Sequence, residues 1–364
     1  MKEGLSQNLL NETLNRIRPI DTTVRAQAWD YLDNLTKPVG SLGRLEELAA
    51  QLCAISGRVP PAPMERKAVI VMAGDHGVTA EGVSAYPSAV TPQMVHNFLQ
   101  GGAAINVLAR QAGARVVVVD MGVAADLPAH PDLLDRKVRR GTANFAVEPA
   151  MTTAEAHACV EAGIAVLEEA VAQGLDIVAT GDMGIGNTTA ASAIVAAMTG
   201  EAVSEVTGRG TGLGERGVGL KVAVIERALR LHRPDPKEPL DVLAKVGGCE
   251  IGGLAGVILG AATHRLPVVL DGFIAGAAAL LAVGLSSLAC DYCIPAHESA
   301  EPGHKAVLRF LEFKPLLNLN MRLGEGTGAV LGMTLVDAAS RLMREMATFD
   351  SARVSRAVET PREL

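Results

Sequence analysis

Aromatic residues make up only 3% of this 364-residue chain, with a single Trp. That scarcity argues against an aromatic platform for stacking single-stranded nucleic acid. Positive charge is also short: 33 Lys and Arg stand against 40 Asp and Glu, a formal net charge of −7. Such a balance disfavours any polyanion partner. A small anionic ligand is still open to the chain, because loop amides and one or two cations are enough to bind it. Cysteines number five, odd and scattered, which reads as reduced and cytoplasmic. Cys290-Asp-Tyr-Cys293 is the one C-x-x-C, and without a second pair it reads as core thiols rather than zinc ligands. Residues 1–20 have neither an apolar h-region nor a small-residue cleavage site, so nothing there marks the chain for secretion.

Only one uncharged run is long enough to suggest a membrane span: "GFIAGAAALLAVGLSSLAC", Gly272 to Cys290. Asp271 and Asp291 close its two ends, and no Lys or Arg flanks it. The run is rich in small residues and follows a strand-like segment, so it reads as a buried helix of an α/β sheet. No membrane partner is expected.

The composition that is present, 49% hydrophobic and 20% charged, can bury a substantial core. The first 60 residues read as helical and separate. Ser41 can cap a helix that carries Leu42, Leu45, Leu48, Ala49 and Leu52 on one face. "VPPAP", Val59 to Pro63, then breaks the pattern as a linker. Beyond it, β-branched runs alternate with helical ones: "AVIVMAG", "RVVVVD", "DIVATG" and "PVVLDG". Thr152-x-x-Glu155 forms a capping box before the helix that precedes the third run. Alternation of this kind predicts a parallel sheet with helices on both faces. A last apolar helix, around Val330 to Met346, leads into a charged tail. Together with the N-terminal helices it can form a smaller helical domain, residues 1–60 with 335–364, beside an α/β domain over 61–334.

Each strand-like run ends in Gly and Asp, and open α/β sheets bind ligands beyond the carboxyl ends of their strands. "GDMGIGNTTA", Gly181 to Ala190, has P-loop spacing, but Asn187 stands where the lysine belongs. Its amides and the Thr188 and Thr189 hydroxyls can cradle a phosphate, whereas NTP hydrolysis lacks its stabilising cation. Lys221 is a candidate for that cation, and a solvated surface lysine is the alternative. "GRGTGLGERG" contains a formal G-x-G-x-x-G from Gly212 to Gly217. No convincing strand precedes it, so the dinucleotide reading lacks its context. His297 and His304 of "AHESAEPGH" do not have the spacing of a helical zinc pair, and the segment reads as a polar wall that includes Ser299. These residues point to a phosphate-bearing small molecule at the strand ends, with neither metal, cofactor nor NTPase machinery.

Taken together, "LTKPVGSLGRLE", "AGDHGVTAEGVSAYPSAVT", "GTANF", "GDMGIGNTT", "GRGTG" with Lys221, "VGGCEIGGLAGVILGAA", "PVVLDGFI", "AHESAEPGH" and "MRLGEGTGA" resemble the nicotinate-nucleotide–dimethylbenzimidazole phosphoribosyltransferase family. They run in family order from about residue 35 to 335. The resemblance implies a cytoplasmic homodimer with a Rossmann-like, three-layer parallel sheet and a small domain from both chain ends. It also implies a reaction in cobalamin assembly. The benzimidazole attacks C1′ of nicotinate mononucleotide, nicotinate leaves, and α-ribazole 5′-phosphate forms with inversion. A pyridinium leaving group needs no general acid, but the attacking azole must lose a proton to one base. By resemblance that base is Glu325. The phosphate and ribose fall to Asp182, Gly184, Gly186, Asn187, Thr188, Gly210, Lys221 and Ser299. The acceptor pocket falls to Tyr86, Ser88, Gln93, Leu323 and Gly324, where the glycines flanking Glu325 are expected to let the backbone approach the flat ring. One departure stands out: the family commonly has Glu where this chain has Asp182. Two alternatives remain open on sequence. One keeps the scaffold and uses another acceptor, such as adenine, a phenol or a plainer benzimidazole; the other is a nucleotide-binding regulator without turnover.

Overall fold

The computed structural model describes residues 6–355. Its chain forms two compact units, Met1–Arg18 with Arg66–Met333, and Pro19–Glu65 with Thr334–Leu364. The expected boundary at residue 60 assigned the first helix, Ser6–Arg16, to the small unit, whereas it clusters with the large one. The Leu10 N–H donates to Glu161 Oε1 at 3.2 Å, and Leu10 and Ile17 are buried. The ends of the expected small domain, residues 1–5 and 356–364, lie outside the described residues.

In the smaller unit the helix Arg44–Ser56 starts at Gly43, and no side chain caps it. The cap expected from Ser41 is replaced by Glu46, whose Oε1 accepts the Leu42 N–H at 2.9 Å and pairs with Lys37 Nζ at 3.0 Å. Lys37 and Glu46 are both buried, so this pair fixes the turn more tightly than a solvated serine would.

The larger unit is built on a six-stranded parallel sheet in the order β3-β2-β1-β4-β5-β6. Its strands are β1 Lys67–Gly74, β2 Ala114–Gly122, β3 Leu133–Asp135, β4 Ile177–Met183, β5 Val268–Leu270 and β6 Cys293–Pro295. The four apolar runs supply β1, β2, β4 and β5. β3 and β6 are three-residue edge strands, too short to leave a pattern in the sequence. After β1 the chain winds outward through β2 and β3, then crosses to the other side of β1 for β4 to β6. That reversal places the topological switch point between β1 and β4, where ligand crevices form in such sheets.

The capping box at Thr152 and Glu155 is present and starts the helix Thr153–Ala172. The uncharged run forms the buried helix Phe273–Leu285, and among the described residues no helix is long and apolar enough to cross a membrane. Small residues set how closely the helices pack. A Cβ on Gly163 would lie 1.9 Å from the Gly253 carbonyl oxygen in the helix Cys249–Thr263, and one on Gly256 would lie 2.0 Å from the Val160 oxygen. Backbone therefore meets backbone here, and a methyl group forces the helices apart. Gly163→Ala is expected to destabilise the fold by about 2–3 kcal/mol, lowering the melting midpoint by roughly 5 °C or more. Thermal denaturation followed by circular dichroism checks this, and an unchanged midpoint contradicts the close approach.

Candidate active site

The carboxyl ends of β4 and β5, the turn before the helix Thr327–Glu345 and the loops around Gly210 and Ser299 enclose a cavity of about 450 Å³. Glu325 is part of its wall. Gly324, Glu325 and Gly326 are all left-handed, with φ of +83°, +63° and +91°. For a residue with a Cβ that conformation costs roughly 1–2 kcal/mol, so the surroundings must impose it. The Glu325 N–H donates to the Asp182 carbonyl at 3.1 Å. Asp271, at the end of β5, accepts the Gly326 N–H at 3.2 Å and the Ala329 N–H at 3.0 Å. Those amides begin the following helix, where a carboxylate is favourable. A Cβ on Gly326 would lie 2.6 Å from Val69 Cγ2, and one on Gly324 would lie 3.0 Å from Asp182 Oδ2. The two glycines thus seat the turn on the sheet ends and let it adopt positive φ. This explains the glycine–glutamate–glycine pattern more directly than the expected approach of the backbone to a substrate.

Glu325 is buried, and its Oε2 accepts the Ile105 N–H at 3.2 Å. That amide lies in the first turn of the helix Ala104–Ala112. Burial raises the Glu325 pKa and the nearby Asp271 charge adds to the rise, while the Ile105 N–H opposes it. Asp182, in the same cavity, is pushed well above the ordinary range by burial and by Asp271, Glu250 and Glu325, against the hydrogen bond it accepts from Asn187 Nδ2 at 2.9 Å. Burial thus raises both carboxyls of the cavity.

On the cavity wall, Gly184, Asn187 and Thr188 mark the start of the helix Asn187–Thr199. Lys221 stands behind this loop rather than on the cavity wall. It is wholly buried, and its Nζ donates to Thr188 Oγ1 at 2.7 Å. Burial pulls its pKa down to about 8, with Glu301 opposing. The solvated-lysine alternative is therefore overturned. Gly186 caps the same helix without lining the cavity. Ser299 lines it and is buried, while Gly210 lines it beside Thr188.

Tyr86, Val90, Met94 and Leu323 supply apolar lining, with Tyr86 55% and Leu323 59% exposed. Two expected pocket residues are placed elsewhere. Ser88 Oγ bonds Thr79 Oγ1 at 3.2 Å, and Gln93 is exposed. On the helix Val90–Leu99 it is Val90 and Met94, one turn apart, that reach the cavity. Sequence reasoning also missed Asp271, His297, Glu301 and Arg322 as lining residues. The strand-end Asp was a signal for Asp271, and Arg322 stood two residues before the quoted glycine–glutamate–glycine. His297 Nε2 lies 3.6 Å from Asp271 Oδ1. His304, driven by burial down to about 3, accepts the Ser299 N–H at 2.9 Å as a neutral ring. Among the described residues no group of three or more His, Cys, Asp or Glu is arranged to hold a metal ion.

Known proteins resemble this chain in both sequence and fold. A phosphoribosyltransferase family model matches residues 17–354. A nicotinate-nucleotide–dimethylbenzimidazole phosphoribosyltransferase of Roseiflexus sp. (strain RS-1) is 61% identical over 97% of this chain and 99% of its own. A protein of the same name from Geobacter sulfurreducens is 56% identical over 95% of this chain and 98% of its own. Among solved structures, CobT from Thermus thermophilus superposes with a TM-score of 0.89 at 51% identity, covering 92% of this chain and all of that one.

Proposed function

The chain belongs to the nicotinate-nucleotide–dimethylbenzimidazole phosphoribosyltransferase family, and from that premise we propose how its residues carry the transfer. The enzyme moves the 5-phosphoribosyl group of nicotinate mononucleotide to 5,6-dimethylbenzimidazole, releasing nicotinate and giving α-ribazole 5′-phosphate. The observation that supports the residue assignment is Glu325, a buried carboxylate on an imposed left-handed turn in a cavity that the phosphate loop and the apolar Tyr86, Met94 and Leu323 also line.

The mononucleotide lies with its phosphate on the Gly184–Thr188 loop, at a helix N-terminus, with Lys221 as counter-charge through Thr188. Gly210 and Ser299 close over the phosphate and ribose. The flat acceptor enters between Tyr86, Met94 and Leu323. One azole nitrogen attacks C1′ from the face opposite nicotinate. The C1′–N bond to the pyridinium breaks, and its electron pair leaves with nicotinate as a neutral ring nitrogen. The other azole N–H becomes acidic as the new bond forms, and Glu325 takes that proton through Oε1. Oε2 stays on the Ile105 amide, which fixes the carboxylate while its partner oxygen works. The raised pKa brings Glu325 closer to the acidity of its proton donor, as general-base catalysis requires. We place this enzyme in the cytoplasm as a homodimer.

Asp182 stands where the family commonly has Glu, so its carboxyl is held about 1.5 Å further back. Asp182→Glu is expected to leave kcat within about tenfold, as read by steady-state nicotinate release; a much larger loss means the shorter carboxyl is required here. The activity itself is tested by incubating the protein with nicotinate mononucleotide and 5,6-dimethylbenzimidazole in EDTA and following nicotinate. Release in parallel with α-ribazole 5′-phosphate is expected. Release with adenine or a phenol, and none with the benzimidazole, moves the acceptor and overturns that part of the assignment.

A further inference from the structure

The loop Gly208–Gly212 touches the phosphate cradle and the segment that carries Tyr86 at once. Toward the phosphate cradle, a Cβ on Gly210 would lie 2.7 Å from Thr188 Oγ1 and 3.4 Å from Lys221 Nζ, so the Gly210 backbone rests directly against the cradle. Toward the acceptor wall, Thr211 Oγ1 accepts the Ala85 N–H at 3.0 Å and lies 3.3 Å from Ser84 Oγ, next to Tyr86. Toward the turn that carries Glu325, Arg322 Nη1 donates to the Gly210 carbonyl at 2.7 Å. The same residue is gripped from behind, where the Gly210 N–H donates to Glu301 Oε1 at 3.0 Å. The Ala300 N–H donates to the Met321 carbonyl at 3.0 Å, which ties the Glu301 segment to the start of that same turn.

Arg322 itself is exposed, and this hydrogen bond links two segments far apart in sequence. Three residues further on, Glu325 sits in a backbone conformation that must be imposed from outside. The Arg322–Gly210 hydrogen bond adds to the bonds to Asp182 and Asp271 that hold this turn, and a phosphate seated against Gly210 can firm it further. Using the binding of a remote, unreacting phosphate to organise the reacting centre raises kcat rather than merely lowering KM.

We propose, resting on the reading above, that Arg322 is a positioning residue that couples occupancy of the phosphate cradle, through Gly210, to the geometry of the Glu325 turn. Phosphate settling against Gly210 and Thr188 fixes the Gly210 carbonyl, which fixes Arg322 and with it the approach of Glu325 to the acceptor N–H. Arg322 takes no part in proton transfer.

The test compares nicotinate mononucleotide with nicotinate riboside, the same substrate without its phosphate, using 5,6-dimethylbenzimidazole as acceptor. In the wild type the mononucleotide is expected to have a kcat at least about tenfold above that of the nucleoside. Arg322→Met shrinks that ratio at least about tenfold and lowers kcat for the mononucleotide more than it raises KM. Arg322→Lys, which can still donate to the Gly210 carbonyl, restores part of the ratio. Equal wild-type kcat values for the two substrates overturn the coupling. So does an Arg322→Met enzyme that keeps the wild-type ratio, or one that loses only KM, since that makes the arginine a simple phosphate ligand. A wild type that fails to turn over the mononucleotide at all counts instead against the assigned reaction.

Discussion

Glu325→Gln should lower kcat by about 10²–10⁴-fold, the range expected when a general base is removed. Glutamine preserves the shape, and its amide oxygen can still accept the Ile105 N–H that Oε2 accepts now. The left-handed turn is held by backbone bonds to Asp182 and Asp271, so it survives the change. What disappears is the ability to take the azole proton. Substrate affinities should change far less than kcat, because the contact matters chiefly in the transition state. Steady-state nicotinate release from wild type and variant, with a thermal melt to show equal folding, checks this. A variant within about threefold of wild type transfers the role of base away from Glu325, and Asp182 becomes the next carboxyl to change.

Lys221→Met carries the second large effect. The lysine is wholly buried behind the phosphate loop, with Nζ on Thr188 Oγ1, and methionine is close to it in volume and flexibility. The substitution removes a charge-assisted interaction worth about 1.5–3 kcal/mol, together with a cation at the cradle that burial shields from solvent screening. We expect kcat/KM for the mononucleotide to fall about 10²-fold, while KM for the benzimidazole stays within roughly threefold. The pH dependence follows from the same residue. Burial holds the lysine at about 8 in the free enzyme, so it is charged below that pH and neutral above it. A phosphate dianion favours the charged form. Mononucleotide affinity should therefore weaken as pH rises through about 8, and this alkaline limb should vanish in Lys221→Met. An alkaline limb that persists in the variant assigns the titration to another group.

Much of the architecture was legible because buried strands and small-residue helices leave long patterns. "AVIVMAG" and "RVVVVD" announce central strands, and Thr152 with Glu155 announces the helix that follows. β3 and β6 were not legible, since three residues at a sheet edge carry no periodicity. Ser41 was a reasonable cap by residue type, but Glu46 reaches back from inside the helix and takes the Leu42 amide with its charge. The first helix looked like its N-terminal neighbours, and only long-range packing, including the bond from Leu10 to Glu161, assigns it to the larger unit.

At the site, motif order was enough to bring Glu325, Asp182, Asn187, Thr188 and Ser299 onto one cavity. Side-chain direction was not legible. Gln93 and Met94 are adjacent in sequence, and helix phase alone decides that Met94 reaches the cavity. Lys221 gave no sign of its burial, because its helix, Glu215–His232, is otherwise amphipathic and surface-like. The role of Asp271 also needed coordinates. Its two oxygens bind amides 55 and 58 residues away, a link no local pattern encodes.

On this mechanism Glu325 accepts the acceptor's proton in the chemical step. The most direct test is the pH dependence of single-turnover nicotinate release, measured side by side for wild type and Glu325→Gln. With the pKa raised by burial and by Asp271, the wild-type rate should fall on the acid side at a pH above the ordinary carboxylate range, because the base is lost as it protonates. In Glu325→Gln that acid limb should be gone, leaving a slow rate independent of pH over the same interval. An acid limb of unchanged midpoint in the variant would contradict the account.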